Sequence, residues 1–306
     1  MSQPSPIRKA VVPAAGLGTR HFPASHAVKK ELFPIVGPDG IARALIHYHL
    51  MELVAAGIEQ ICIIVQPNDD KTIRAYLDGP DPQYLKRLEK YPALAAEAHR
   101  MPKLSQRVTF AIQHEQEGYG HAVYQSKKFA GDDPVLLCLG DHLFRGCSIS
   151  PYAELAQLAA KSNGKSISAV NRIGPEDLKG FGTIAGKRRP ENPQLIDVSL
   201  IIEKPTIPIA REKLRVDGLE ENVFLGWFGM HLLAPSIYEI LKEMIQSNTR
   251  DNGEFQLTRA QEIQRQREGY LAIEMLDATR YDFGTPDDFV QSLQAFRANS
   301  ERSSLI

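Results

Sequence analysis

The 306-residue chain has three cysteines and one tryptophan, and it is almost uncharged overall: 36 Lys and Arg stand against 37 Asp and Glu, a formal charge of −1. With cysteine this scarce no disulfide framework can be drawn. Cys62, Cys138 and Cys147 form no C-x-x-C pair, a pattern that reads as reduced thiols and a cytoplasmic setting. The neutral balance argues against a surface that coats nucleic acid and leaves room for a local basic pocket. No apolar run approaches about 18 residues, and residues 1–9 hold no apolar h-region, so neither a membrane span nor a secretion signal is expected. What is present is ordinary globular composition, 43% hydrophobic and 24% charged, which excludes a disordered or fibrous chain. A chain this long buries roughly three quarters of its unfolded surface and needs no metal or disulfide staple.

Residues 10–12, 61–65, 108–112 and 135–139 are short continuous apolar runs. Helical spacing lies between the first two: Ile41, Leu45, His49 and Leu53, closed by Gly57. Strands apolar on both faces and separated by helices imply a parallel sheet covered on both sides. Residues 78–106 are polar and helix-prone, interrupted by Pro80, Pro82, Pro92 and Pro102, and read as an insertion over one face. After Leu139 the strands shorten, to 166–170, 182–185, 195–202 and 223–232. Helices are expected from Ser150-Pro151 to about Lys161, from Pro235 to Gln246, and from Thr285 to near Asn299. The expected fold is α/β. A mainly parallel, Rossmann-like nucleotide-binding sheet carries helices on both faces and continues into a mixed-sheet extension. Residues 1–300 are read as one compound domain, with halves at about 7–147 and 148–299, followed by a polar tail at 300–306.

The most informative stretch follows the first strand: Val12-Pro13-Ala14-Ala15-Gly16-Leu17-Gly18-Thr19-Arg20. Small residues at Ala14, Ala15, Gly16 and Gly18 let backbone N–H groups approach a polyphosphate closely. A dinucleotide loop would need G-x-G-x-x-G and an acid about 20 residues on. Here His21 takes the third glycine's place and the acid is missing. The Gly-Lys-Ser/Thr of a P-loop is absent too. Cations follow instead, Arg20 and then Lys29 and Lys30, which suits a triphosphate carrying about four negative charges.

The run AAGLGTRHFPASHAVKKELFPI resembles the signature of sugar-phosphate nucleotidylyltransferases, G-x-G-x-R-x-x-P-x-[ST]-x-x-x-P-K-x-x-x-P. Gly16, Gly18, Arg20, Pro23, Ser25, Lys30 and Pro34 match, and Lys29 stands where that pattern has proline. Similar dense stretches are QHEQEGYGHAV, Gly140-Asp141, Glu203-Lys204-Pro205, GEFQLTRA and RYDFGTP. The resemblance is to the uridylyl branch, and it implies UTP and glucose 1-phosphate as substrates and UDP-glucose as product. It further implies a homo-oligomer without nucleic-acid or membrane partners, and Mg²⁺ held by Asp141 and Asp282. Arg20 and the glycine loop would hold the leaving phosphates. Lys30 would screen the triphosphate, and Lys204 would draw in the sugar phosphate. Glu203 and the Gly182 backbone would bind the sugar, Gln113 and Gly118 would read uracil, and Glu31 would lie near the base.

The residues themselves carry part of this. Asp141 sits just past the carboxyl end of an apolar strand, where open α/β sheets place ligands. A Gln amide can match a pyrimidine edge. The nine histidines show no metal-ligand spacing, and His114, His121 and His142 suit packing or hydrogen bonding near the loops. Trp227 reads as core or pocket wall. A thymidylyltransferase would share every phosphate contact, and a non-catalytic sugar-nucleotide sensor would have no need of the aspartate pair.

Overall fold

The computed structural model describes residues 7–146 and 149–299, so Cys147 and the tail from 300 lie outside the described residues. Its centre is a nine-stranded sheet. Strand β1 (Lys9–Pro13) leads into the glycine loop, and β2 (Pro34–Val36) and β3 (Ala42–Ala44) form a separate small ribbon. Next come β4 (Gln60–Val65), β5 (Val108–Ile112) and β6 (Val135–Cys138). Strands β5, β4, β1 and β6 lie side by side, all parallel. Their alternating side chains feed two cores. Ala10, Val12, Ile61, Ile63, Leu136 and Cys138 enter one, with Leu50 and Leu53 of the Leu45–Ala55 helix. Val11, Cys62, Ile64, Val135 and Leu137 enter the other, against Leu241 and Met244 of the Ser236–Gln246 helix. Burial on both faces is why these strands read as unbroken apolar runs.

The remaining strands are β7 (His142–Gly146), β8 (Ile167–Ile173), β9 (Thr183–Arg189), β10 (Asn192–Ile202), β11 (Phe224–Leu233), β12 (Leu271–Glu274) and β13 (Ala278–Asp282). Antiparallel β11 attaches to β6 and carries the sheet on through β8, β12, β10 and β9. Only β8 and β12 in that extension run parallel, which makes it mixed, as expected. Strands β7 and β13 pair antiparallel beside the main sheet, with Asp282 opposite His142.

The sequence pattern and the structure part in three places. Helical spacing began at Ile41, but residues 42–44 pair with 34–36 and the helix starts at Leu45. Pro82 and Pro92 open helices (Pro82–Leu88 and Pro92–Ser105) rather than interrupt one, because the N–H that proline lacks has no partner in the first turn of a helix. Asp282 ends a short strand, β13, that the sequence pattern does not show.

The insertion is fastened by a buried charge cluster. Arg43 is 3% exposed and donates to Glu97 at 2.9 and 2.8 Å, to Asp39 at 3.2 and 2.7 Å, and to Tyr48 at 3.2 Å. Burial alone would raise the Glu97 pKa, but the Arg43 hydrogen bonds outweigh it and hold the carboxyl below its usual range. Its contribution is therefore full above the unfolded pKa and is lost as pH falls through the folded one. Arg43→Met, which strands Glu97 without its main partner, should cost about 3–5 kcal/mol of unfolding free energy in urea titrations, and the Arg43→Met/Glu97→Met double variant should recover part of it.

Candidate active site

Strand β1 delivers the glycine loop to the carboxyl end of the parallel sheet. The Ala14 N–H is committed to the Ile64 carbonyl at 2.7 Å, so the N–H groups left free for a phosphate start at Ala15 rather than at Ala14. Gly18 turns the chain at φ +66°, a left-handed conformation that favours glycine. The loop is held from below at Gly16, whose carbonyl accepts from Lys29 Nζ at 2.9 Å and Gln66 Nε2 at 3.1 Å. Lys29 also pairs with Asp69 at 2.8 Å. The residue that replaces the signature's proline is thus a brace for the loop.

Beside the loop runs a chain of charges. Lys30 Nζ reaches Asp141 Oδ2 at 2.6 Å. His142 bonds Asp141 Oδ1 at 2.8 Å and Asp282 Oδ2 at 3.1 Å. The Gly284 N–H donates to Asp282 Oδ1 at 2.7 Å. Carboxylates only accept, so an imidazole bonded to two of them carries a proton on each ring nitrogen. Burial alone would lower the His142 pKa, but the charge of Asp141 and hydrogen bonds to both aspartates raise it to about 9. In return His142, with Lys30, overcomes burial and keeps Asp141 well below the usual carboxylate range. A Cβ on Gly284 would fall 2.9 Å from Asp282 Oδ1, 3.2 Å from Arg20 Nη2 and 3.3 Å from Asp141 Oδ2, so Arg20 and both aspartates converge on one bare backbone point.

This donor set suits Mg²⁺, a hard cation that takes one or two carboxylates and completes its shell with phosphate oxygens and water. Among the described residues no group of three or more His, Cys, Asp or Glu forms a full metal cage. Glu31 is fully buried behind Lys30, 3.7 Å from its ammonium. Burial lifts its pKa to about 7 against the opposing charges of Lys30 and Lys29.

Arg20, Gly182, Glu203, Lys204 and Asp282 line a single cavity of about 350 Å³, together with Tyr119, Phe181, Trp227, Thr258 and Arg280. Glu203 accepts from Thr258 Oγ1 at 2.7 Å. Lys204 adopts φ +45°, and its side chain is 57% exposed at the mouth. Gln113 and Gly118 stand together on the other side of Tyr119, with Gln113 Nε2 3.4 Å from the Gly118 carbonyl and 3.2 Å from His121 Nδ1. Gly118, at φ +112°, has no room for a Cβ, which would lie 2.8–2.9 Å from Glu254 and Phe255. The same segment is tied to that loop by Phe255 N–H to Glu117 O at 2.8 Å and Gly120 N–H to Phe255 O at 2.7 Å.

Arg280 and the bridging role of His142 lie outside the sequence expectations. Along β13 alternate side chains share a face, so Arg280 and Asp282 line the cavity while Tyr281 is buried in the core. Arg280 lies over the Phe181 ring at 4.3 Å and 3.4 Å from the Trp227 carbonyl. The alternation in Arg280-Tyr281-Asp282 is the signal that would have exposed it, had β13 been recognised.

The loop, the aspartate pair and the switch from parallel to mixed sheet describe a protein that works on phosphorylated nucleotides, and sequence comparison gives the class. The chain belongs to the nucleotidyl transferase family, whose profile matches residues 9–299. Among its relatives is UTP–glucose-1-phosphate uridylyltransferase 1 of Staphylococcus saprophyticus, 29% identical over 290 residues that cover 95% of this chain and 92% of the relative. The like-named protein of Streptococcus pyogenes is 30% identical over 293 residues, 94% of this chain and 87% of the relative. Similar solved structures include UTP-bound UGPase from Acinetobacter baumannii, at 25% identity and TM-score 0.78, with 98% of this chain and 95% of that one covered. An apo UDP-glucose pyrophosphorylase matches at 26% identity and TM-score 0.79, covering 95% and 98%.

The Lys29 brace can be tested on the free protein. Lys29→Ala removes a charged donor from the Gly16 carbonyl, a loss of about 1.5 kcal/mol, so limited proteolysis within residues 15–19 should accelerate roughly tenfold. Cleavage at wild-type rates would show that Gln66 alone holds the loop.

Proposed function

We propose that the chain forms UDP-glucose and pyrophosphate from UTP and glucose 1-phosphate. The observation that carries this reading is the meeting of Arg20, Asp141 and Asp282 at Gly284 beside a sugar-sized cavity, in a chain whose relatives bear that activity in their names. An oxygen of the sugar phosphate attacks the α-phosphorus of UTP, the new O–P bond forms, and the bond to the β-phosphate oxygen breaks as pyrophosphate leaves. The attacking phosphate is already anionic at neutral pH, so positioning and charge stabilisation are what the protein supplies. The loop from Ala15 to Gly18 and Arg20 hold the leaving phosphates, Lys30 screens the triphosphate, and Lys204 draws the sugar phosphate toward it. Asp141 and Asp282 would hold Mg²⁺, which when bound neutralises charge between the two anions. Gln113 and Gly118 read the base. Glu203 and the Gly182 backbone take the sugar, and Glu31 supports Lys30 from behind on the base side.

The chain is read as one compound catalytic unit, supported by the continuity of its sheet from β5 to β9. The same reading makes it a cytoplasmic homo-oligomer whose partners are its small-molecule substrates. Among the described residues no helix is long and apolar enough to cross a membrane.

Pyrophosphate release from glucose 1-phosphate should follow the order UTP, then dTTP, then CTP, with ATP and GTP negligible, and Gln113→Ala should flatten the preference for UTP over CTP. A preference for dTTP would move the protein to the thymidylyl branch, and equal use of GTP or ATP would remove the uridylyl reading. EDTA should abolish turnover, as should Asp141→Asn. Lys204→Ala should raise KM for glucose 1-phosphate far more than KM for UTP. Loss of a charged hydrogen bond of about 2–3 kcal/mol corresponds to roughly 30- to 150-fold. An equal effect on both substrates would place Lys204 elsewhere.

A further inference from the structure

Trp227 is the only tryptophan of the chain. It lies in the middle of β11, 7% exposed, and its ring packs edge-on against His231 and tilted against Tyr270. Those contacts account for the ring and leave its polar atom unexplained. Trp227 Nε1 is buried and has no hydrogen-bond partner. An indole N–H can only donate, and a buried donor without an acceptor is uncommon and destabilising enough to call for a reason. Trp227 lines the cavity that also holds Glu203, Lys204 and Arg280.

The position of that N–H is marked by Gly182. A Cβ there would fall 2.5 Å from Trp227 Nε1 and 2.9 Å from Glu203 Oε2, so an unpaired donor and a carboxylate acceptor border the same point above a bare backbone. The two segments are locked at this level, because the backbone N–H of Trp227 donates to the Gly182 carbonyl at 2.8 Å. Glu203 is steadied by Thr258. A group that fits there must accept from the indole and donate to the carboxylate at once. A hydroxyl does both. A phosphate oxygen would be repelled by Glu203, an ammonium could not accept from Trp227, and a C–H would leave both unpaired.

We propose that Trp227 is a specificity-determining residue: with Glu203, across Gly182, it reads one hydroxyl of the hexose 1-phosphate and disfavours sugars that lack it. This rests on the uridylyltransferase reading above.

Because there is one tryptophan, its emission reports on this point alone. Saturating UDP-glucose should shift or quench the fluorescence of the wild-type protein, while UTP alone should not. Trp227→Phe keeps an aromatic ring while removing the N–H along with part of the indole, so kcat/KM for glucose 1-phosphate should fall about 5- to 30-fold with KM for UTP unchanged. Across the monodeoxy glucose 1-phosphates, one analogue should be used equally by wild type and variant, because it has already lost the partner hydroxyl. An equal loss on glucose and every deoxy analogue, no loss at all, or emission that ignores UDP-glucose would overturn the proposal. Should Trp227→Phe not fold, the fluorescence result on the wild-type protein decides it. A wild-type protein that releases no pyrophosphate from UTP with any hexose 1-phosphate would overturn the uridylyltransferase reading itself, and the proposal with it.

Discussion

Two carboxylates far apart in the chain, Asp141 near its middle and Asp282 near its C-terminal end, are held side by side by one imidazole. The rest of the site depends on that contact. Unscreened, two partly buried anions brought to one imidazole would repel each other and favour neutralising one of them. His142, between them, and Lys30, on the outer oxygen of Asp141, let both stay ionised. The register of β7 against β13 sets the spacing, since it places Asp282 opposite His142. Arg20 approaches the same point from the glycine loop because Gly284 offers no side chain to block it. The meeting of these groups therefore depends on a two-stranded ribbon outside the main sheet.

The parallel half of the fold was legible because its inner strands β1, β4 and β6 are buried on both faces. The run at 61–65 falls inside β4, and that at 108–112 matches the half-buried edge strand β5. The β7–β13 ribbon was not legible. Its sequences, HLFRG and ATRYD, mix charge with apolar residues over five positions, and their pairing partner lies far away in the chain. The same division holds at the site. The glycine loop, Arg20 and Lys30 form one contiguous stretch, so their chemistry can be read locally. Arg280 and the unpaired indole of Trp227 acquire meaning only when β11, β13 and the Gly182 turn are brought together.

Glycine appears at this site mainly as an absence of volume. Gly182 clears the indole and Glu203, Gly284 clears Arg20 and both aspartates, and Gly118 clears the 254–255 backbone. In each case the chain approaches more closely than a Cβ would allow, and at Gly182 and Gly284 the groups that remain are charged or polar side chains. Loop conformation accounts for Gly18, where the left-handed turn itself is the requirement.

The segment from Glu254 to Thr258 touches both ends of the site. Phe255 is bonded to the loop that carries Gly118, and Thr258, three residues on, holds Glu203 by its hydroxyl. A displacement of this segment reaches the nucleotide side and the sugar side together. On the proposed reading, a substitution within 254–258 that re-tunes the preference for a base drags the preference for a sugar with it, and changing a single preference cleanly means working elsewhere in the chain.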